Sequence, residues 1–219
     1  MDLRLGIRTT GAVRAFTPSP VPDAVVADIL DDARFAPSGG NRQPWRVAVV
    51  KNHDLRRGLA RAMYPVWNQY VAIGATGRTA FSTVGTDPEL DAPHVPNPLL
   101  DRVETIPVVL AVAVDLSLVA MMDNRLDRPT ITGGASVYPF CWNMILAARE
   151  RGLGGVITTF ASRVEPTTGP LLGLPEHHAL AAVLFLGEPV HQPTRLTRRP
   201  VGSFTTIDRF DGPWFTTGG

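Results

Sequence analysis

Cysteine is almost absent. Cys141 is the one thiol in 219 residues, so no intramolecular disulfide and no cysteine-rich metal site can form. Charge is also scarce, at 19% Asp, Glu, Lys and Arg against roughly 25% in ordinary soluble domains. The 21 basic and 20 acidic residues nearly cancel, leaving +1. That balance lacks the basic footprint of a nucleic-acid binder. Long apolar runs are missing too. The longest, Pro107 to Val114, falls far short of the roughly 20 residues that span a bilayer, and no membrane partner is expected. No apolar stretch of signal-peptide type follows Met1-Asp2-Leu3-Arg4, so a cytoplasmic protein is expected. The five histidines, His53, His94, His177, His178 and His191, show no metal-ligand spacing, and no metal is expected. There is no G-x-G-x-x-G after a strand, no P-loop and no G-x-S-x-G elbow, which sets aside a Rossmann dinucleotide site and a serine-hydrolase nucleophile.

What is present is apolar enough to fold. Hydrophobic residues make up 44%, which rules out global disorder. Gly and Pro number 20 each and cluster. Thr86 to Pro98 holds four prolines and reads as a long irregular loop, the kind that serves as a lid or binding loop. Val25, Val26, Ile29, Leu30 and Ala33 recur at helical spacing between Pro22 and Pro37, predicting a helix. Trp45 to Val50, Pro107 to Asp115 and Ala179 to Leu186 read as strands, with Val156 to Thr159 as a short extended piece. Asp54 is expected to cap a helix carrying Leu55, Leu59 and Met63. Gly134 to Arg151 reads as the strongest helix, ended by Gly152. Its residues Phe140, Cys141, Trp142, Met144, Ile145 and Leu146 are apolar on more than one face, as in a helix covered on most sides. Helices and strands mix without strict alternation, which argues for an α+β fold.

Pro37-Ser38-Gly39-Gly40-Asn41-Arg42-Gln43-Pro44-Trp45 joins the first long helix to the first strand. Its glycines allow close backbone approach, and Ser38, Asn41 and Gln43 offer polar groups to a polyhydroxyl chain or a heterocycle edge. The same composition also suits a plain turn. Arg14 and the Arg198-Arg199-Pro200 segment supply guanidinium groups suited to phosphate, or simply solvated charge. Thr158 and Thr159 could serve a ligand or just occupy strand positions.

In their order and spacing these segments resemble the nitroreductase family of FMN-dependent oxidoreductases. The pieces are Val13-Arg14-Ala15-Phe16, Pro20-Val21-Pro22, Ala36 to Trp45, Asn143 to Ala148 with Gly152-Leu153-Gly154, and Arg198-Arg199-Pro200-Val201. The resemblance implies a nitroreductase-like α+β fold, a central mixed or antiparallel sheet flanked by helices. It implies a single domain over residues 1–219 with 188–219 as an extended C-terminal arm. It also implies an intertwined homodimer with FMN at the subunit interface. Arg14 and Arg198 would grip the phosphate or the polar edge of the cofactor. Ser38, Gly39, Asn41 and Gln43 would line the ribityl chain and flavin, with Gly154 and Gly155 facing the ring. Thr158 and Thr159 would lie near the flavin, and Arg102 would be the cation ahead of the middle strand. NADH or NADPH would donate hydride, and nitroaromatics, quinones or related acceptors would receive it. Other flavin chemistries on the same scaffold are dehalogenation, flavin fragmentation and dehydrogenation. A flavin store or sensor without turnover belongs to a different class. Two departures stand out. The family often carries Arg-Arg-Ser-x-Arg where this chain has Thr10-Gly11-Ala12-Val13-Arg14, with Arg8 as a possible substitute. Trp142-Asn143 replaces a frequent Gln-Asn pair.

Overall fold

The computed structural model describes residues 1–216; the last three residues of the expected arm, 217–219, lie outside them. Four strands form one sheet: β1 (Trp45–Val49), β2 (Val108–Asp115), β3 (Gly154–Thr158) and β4 (His178–Gly187). Their order is β1-β2-β4-β3, and every neighbouring pair is antiparallel. The sheet is therefore of the antiparallel rather than the mixed kind. β2 and β4 are central, and their unbroken apolar runs are buried on both faces because helices cover both.

The period of two along β2 sorts the core. Val108, Leu110 and Val112 face a cluster with α2 (Asp23–Ala33) and α5 (Tyr138–Glu150). Val109 and Ala111 face the other cluster, built with α3 (His53–Ala75), α4 (Pro98–Asp101) and α6 (Phe160–Arg163). α7 (Glu165–Leu172) flanks that second layer, and α1 (Leu3–Thr9) lies against α5. Cys141 is fully buried on α5, where desolvation pushes its thiol up to about 12.

Two helix starts differ from the sequence reading. α3 is capped by Asn52, whose Oδ1 accepts from Leu55 N at 3.0 Å, and not by Asp54, which lies in the first turn where a carboxylate suits the helix dipole. α5 begins at Tyr138, because Thr132–Ser136 is wound as a tight 3-10 turn. The Tyr138 ring closes over that turn, 2.9 Å from where a Cβ of Gly134 would lie.

After β4 the chain pairs back on its own beginning. Thr17 N donates to Glu188 O and Val190 N to Ala15 O, making an antiparallel bridge between Phe16 and Pro189. Beyond it come a 3-10 turn at Val201–Ser203 and one bridge between Thr206 and Trp214.

Candidate functional site

A cavity of about 680 Å³ opens at the β3 edge of the sheet, within the range of ligand and cofactor sites. Five parts of the chain build it. The segment Ala12–Ala15 runs along β3, with Val13 N donating to Gly155 O at 2.9 Å. β3 and the turn after it contribute Val156 to Phe160. α3 sends Trp67 and Tyr70 from its C-terminal half, and Asn97 to Leu99 enter at the start of α4. The tail closes the rim with Val190, His191 and Pro193.

The walls suit a planar ring. Trp67 and Tyr70 stack at 6.2 Å and 17°. Phe160 meets Tyr70 edge-on at 5.8 Å and Trp67 at 6.0 Å. Polar groups are few. The Thr158 hydroxyl donates to Val183 O at 3.2 Å and is committed to the sheet, whereas Thr159 is exposed. Asn97 is buried, and its Oδ1 accepts from Leu99 N and Leu100 N. Its NH2 group donates to no described residue. Arg14 also faces a smaller adjoining hollow of about 60 Å³ together with Arg102. The two cations, 88 positions apart in sequence, thus share one end of the site. Among the described residues no carboxylate lines either space.

Gly154 and Gly155 are buried in β3 beside the cavity and do not line it. A Cβ at Gly154 would lie 2.6 Å from Val13 Cγ2, so this glycine lets the Val13 segment close on the strand. Arg198 is exposed, donates to Thr197 O at 2.8 Å, and does not line the cavity.

The Ser38–Gln43 loop lies elsewhere. It leads into β1, whereas the cavity borders β3, and these are the two outer strands of the sheet. At the usual spacing of about 4.8 Å per strand they stand roughly 14 Å apart. The loop is held tightly. Gly39 N donates to Ser136 Oγ and Gln43 N to Ser38 Oγ, both at 3.0 Å. At its end Trp45 stacks on Phe140 of α5 at 4.6 Å. Asn41 (φ 52°) and Gln43 (φ 50°) take left-handed backbone conformations, a strain that persists where surrounding structure enforces it and that concentrates at functional sites. One chain therefore brings together Arg14, Arg102, Thr158 and Thr159, and sets Ser38, Gly39, Asn41 and Gln43 on the far side.

The sequence reading did not find Asn97, Trp67, Tyr70, Phe160 or His191 as site residues. The available signal was the helical spacing of Trp67 and Tyr70, which points both rings the same way once α3 is extended to Ala75.

Residues 7–188 match the sequence pattern of the Nitroreductase family. Nitrobenzene nitroreductase of Ectopseudomonas oleovorans is 29% identical over 197 residues, covering 83% of this chain and 84% of that protein. 5,6-dimethylbenzimidazole synthase of Rhodospirillum rubrum is 30% identical over 180 residues, 81% of this chain and 77% of that one. Among solved structures, the NADPH:FMN oxidoreductase from Vibrio harveyi complexed with NAD+ superposes with a TM-score of 0.68. It is 20% identical and covers 94% of this chain and 76% of its own. A match over residues 7–188 takes in the cavity lining up to the tail, the strained loop and the whole sheet, and the chain belongs to the nitroreductase family.

Proposed function

We propose that the protein is an FMN-dependent oxidoreductase that uses NADH or NADPH to reduce nitroaromatic, quinone or related acceptors. The observation that carries this reading is the cavity of about 680 Å³, walled by Trp67, Tyr70 and Phe160 and flanked by Arg14 and Arg102 without an opposing carboxylate. Those residues fit FMN: the aromatic and aliphatic walls suit its ring, and the cations suit its anionic groups. Thr159 and the NH2 group of Asn97 add hydrogen-bonding capacity on the walls. When bound, FMN would supply the two-electron, hydride-level redox chemistry of a ping-pong cycle between nicotinamide donor and acceptor. The protein binds and orients the reactants and holds positive charge beside the ring, where electrons accumulate.

In this reading the site takes a second copy of the chain. The Ser38–Gln43 loop carries strained, tightly held backbone and lies too far from the cavity of its own chain to serve it. We assign it to the cavity of a partner in a homodimer, with Ser38, Gly39, Asn41 and Gln43 as the partner's contribution.

The test is direct. Purified protein should be yellow, and NADH or NADPH should bleach the flavin without oxygen. A nitroaromatic or a quinone should then restore the colour. A colourless protein that binds no FMN below millimolar concentration would defeat the reading. The likeness to 5,6-dimethylbenzimidazole synthase favours a second reading, a different flavin chemistry on the same scaffold. A flavin-loaded protein that neither nicotinamide bleaches would select it.

A further inference from the structure

One ring of the cavity wall is held by side chains that do not line the cavity. Trp67 and Phe160 are half-buried, whereas Tyr70 stands exposed at the rim. Trp67 is fixed by its Nε1, which donates to Val95 O at 2.9 Å. Tyr70 is held by other rings: Trp67, Phe160 and, from outside the cavity, Phe81 at 6.4 Å and 47°.

Phe81 lies in the loop after α3 with φ 59°, a left-handed backbone that is a genuine outlier for a bulky residue. Such strain persists only where its surroundings enforce it, and three side chains do so. Arg163, the last residue of α6, sets its guanidinium 3.6 Å from the centre of the Phe81 ring, a cation–π contact. Asp87 accepts from Phe81 N at 3.1 Å with one oxygen and places the other 3.8 Å from Arg163 Nη2. Arg78 closes the base of the loop by donating to Thr86 O at 2.7 Å. Gly77 (φ 79°) and Gly85 (φ 84°) flank it at conformations that favour glycine. The loop is thus a closed unit between two permissive joints, and Arg163 ties it to α6.

The two ends of α6 therefore act on one wall. Phe160 lines the cavity, and Arg163, three residues on, grips Phe81; Tyr70 meets both rings. A separate hollow of about 170 Å³ lies beside Phe81, lined also by Ile73, Asp87 and Arg163. An untied Phe81 has room to withdraw. We propose that Arg163 is a positioning residue for the acceptor: by holding Phe81 against Tyr70 it fixes the outer wall of the cavity and limits the size of the aromatic acceptor admitted. The inference rests on the flavin reading above. The flavin ring takes part of the cavity of about 680 Å³, and the tied wall keeps the remainder from widening, so one-ring acceptors are favoured over three-ring ones.

The experiment compares kcat/KM for benzoquinone and for phenanthrenequinone on the flavin-loaded full chain. The wild type should prefer benzoquinone. Arg163→Met keeps the length of the side chain and removes the cation. It should lower that preference roughly three- to tenfold, the scale of one cation–π contact, through KM rather than kcat. FMN affinity and the rate at which saturating nicotinamide bleaches the flavin should not change, as they would in a general loss of structure. Arg163→Lys keeps a cation for the ring and should restore most of the preference. Phe81→Gly removes the ring while relieving the left-handed backbone, and should match Arg163→Met. Chymotrypsin reads the tie apart from turnover: cleavage after Phe81 should quicken in Arg163→Met and slow again in Arg163→Lys. An acceptor preference that survives in both Arg163→Met and Phe81→Gly overturns the proposal, as does unchanged cleavage in Arg163→Met. A preference lost only in step with FMN or with bleaching also overturns it, since Arg163 would then be merely structural. A wild type that reduces both quinones equally overturns it and leaves the flavin reading standing. A chain that no nicotinamide bleaches and that reduces neither quinone defeats that reading and the inference with it.

Discussion

A Cβ at Gly155 would overlap Leu186 Cδ2, and it would lie 2.9 Å from Ile145 Cδ1 and 3.1 Å from the Phe185 carbonyl oxygen. The backbone atom cannot yield without distorting the pairing of β3 with β4. Gly155→Ala should therefore cost about 1–3 kcal/mol, as overpacking does, read as a shift in the urea midpoint at constant m-value. Asp123 supplies a second test. It is buried and gathers the loop that ends at Ser136, the residue that holds Gly39. Thr132 Oγ1, the Ile131 and Thr132 amides and Arg128 donate to its carboxylate and hold its pKa far below the ordinary carboxylate value of about 3.9. A carboxyl depressed in the folded state contributes stability that is fully present above the unfolded value and drains away as pH falls toward the folded one. Asp123→Asn should be less stable than the wild type at neutral pH, with the gap narrowing steadily below about pH 4. Urea midpoints across that range would show it, and a gap independent of pH would refute the account. The roles of Ser136 and Asp123 were hidden in the sequence because each acts on a segment that only the fold places beside it.

Among elements, α3 depends on one side chain at its start. Arg56 is 6% exposed, and burial lowers its pKa. Its Nε donates to Val50 O at 2.8 Å and its Nη1 to Ile106 O at 2.6 Å. It thus ties the end of β1 and the approach to β2 to the first turn of the helix that carries Trp67 and Tyr70. Arg56→Ala would leave both carbonyls unpaired and should cost about 2 kcal/mol or more. Asn52→Ala, which removes only the cap, should cost about 1 kcal/mol, and paired urea melts would rank the two. β2, β4 and α5 were legible in the sequence because their apolar pattern is itself what the core buries. α1 and α7 were not. Leu3-Arg4-Leu5-Gly6-Ile7-Arg8 alternates like a strand and contains a glycine. Glu165–Leu172 carries Pro166, Gly169 and Pro170, which read as breakers. It is helical because Pro166 falls in the first turn and because Thr168, fully buried, donates from its hydroxyl to Ala161 O at 2.8 Å. The strained loop was legible from Gly39 and Gly40, but its distance from Thr158 was not, since strand order is a property of the sheet.

At the scale of the whole molecule, the tail leaves too much apolar surface uncovered for one chain alone. Phe210 is 105% exposed, Trp214 59%, Phe204 57% and Phe215 44%. At those exposures, four aromatic side chains of this kind leave on the order of 400–700 Å² uncovered, most of the roughly 800 Å² that one partner buries in a standard interface. Trp142 on α5, 39% exposed, and Phe35 after α2, 72% exposed, add apolar surface on the body of the fold. A second copy would cover these surfaces and deliver its Ser38–Gln43 loop to the cavity at the same time. The full chain should sediment at low micromolar concentration as one species of twice the chain mass. Truncation after Pro193 should yield a monomer and release FMN, because the tail would serve as clasp and as cofactor support. That cut also removes Arg198, so the Arg198→Ala variant separates the two roles. It should remain a dimer in the same centrifuge run while its hold on FMN weakens. A truncated chain that stays dimeric and yellow with unchanged FMN affinity would show that the tail is neither clasp nor support.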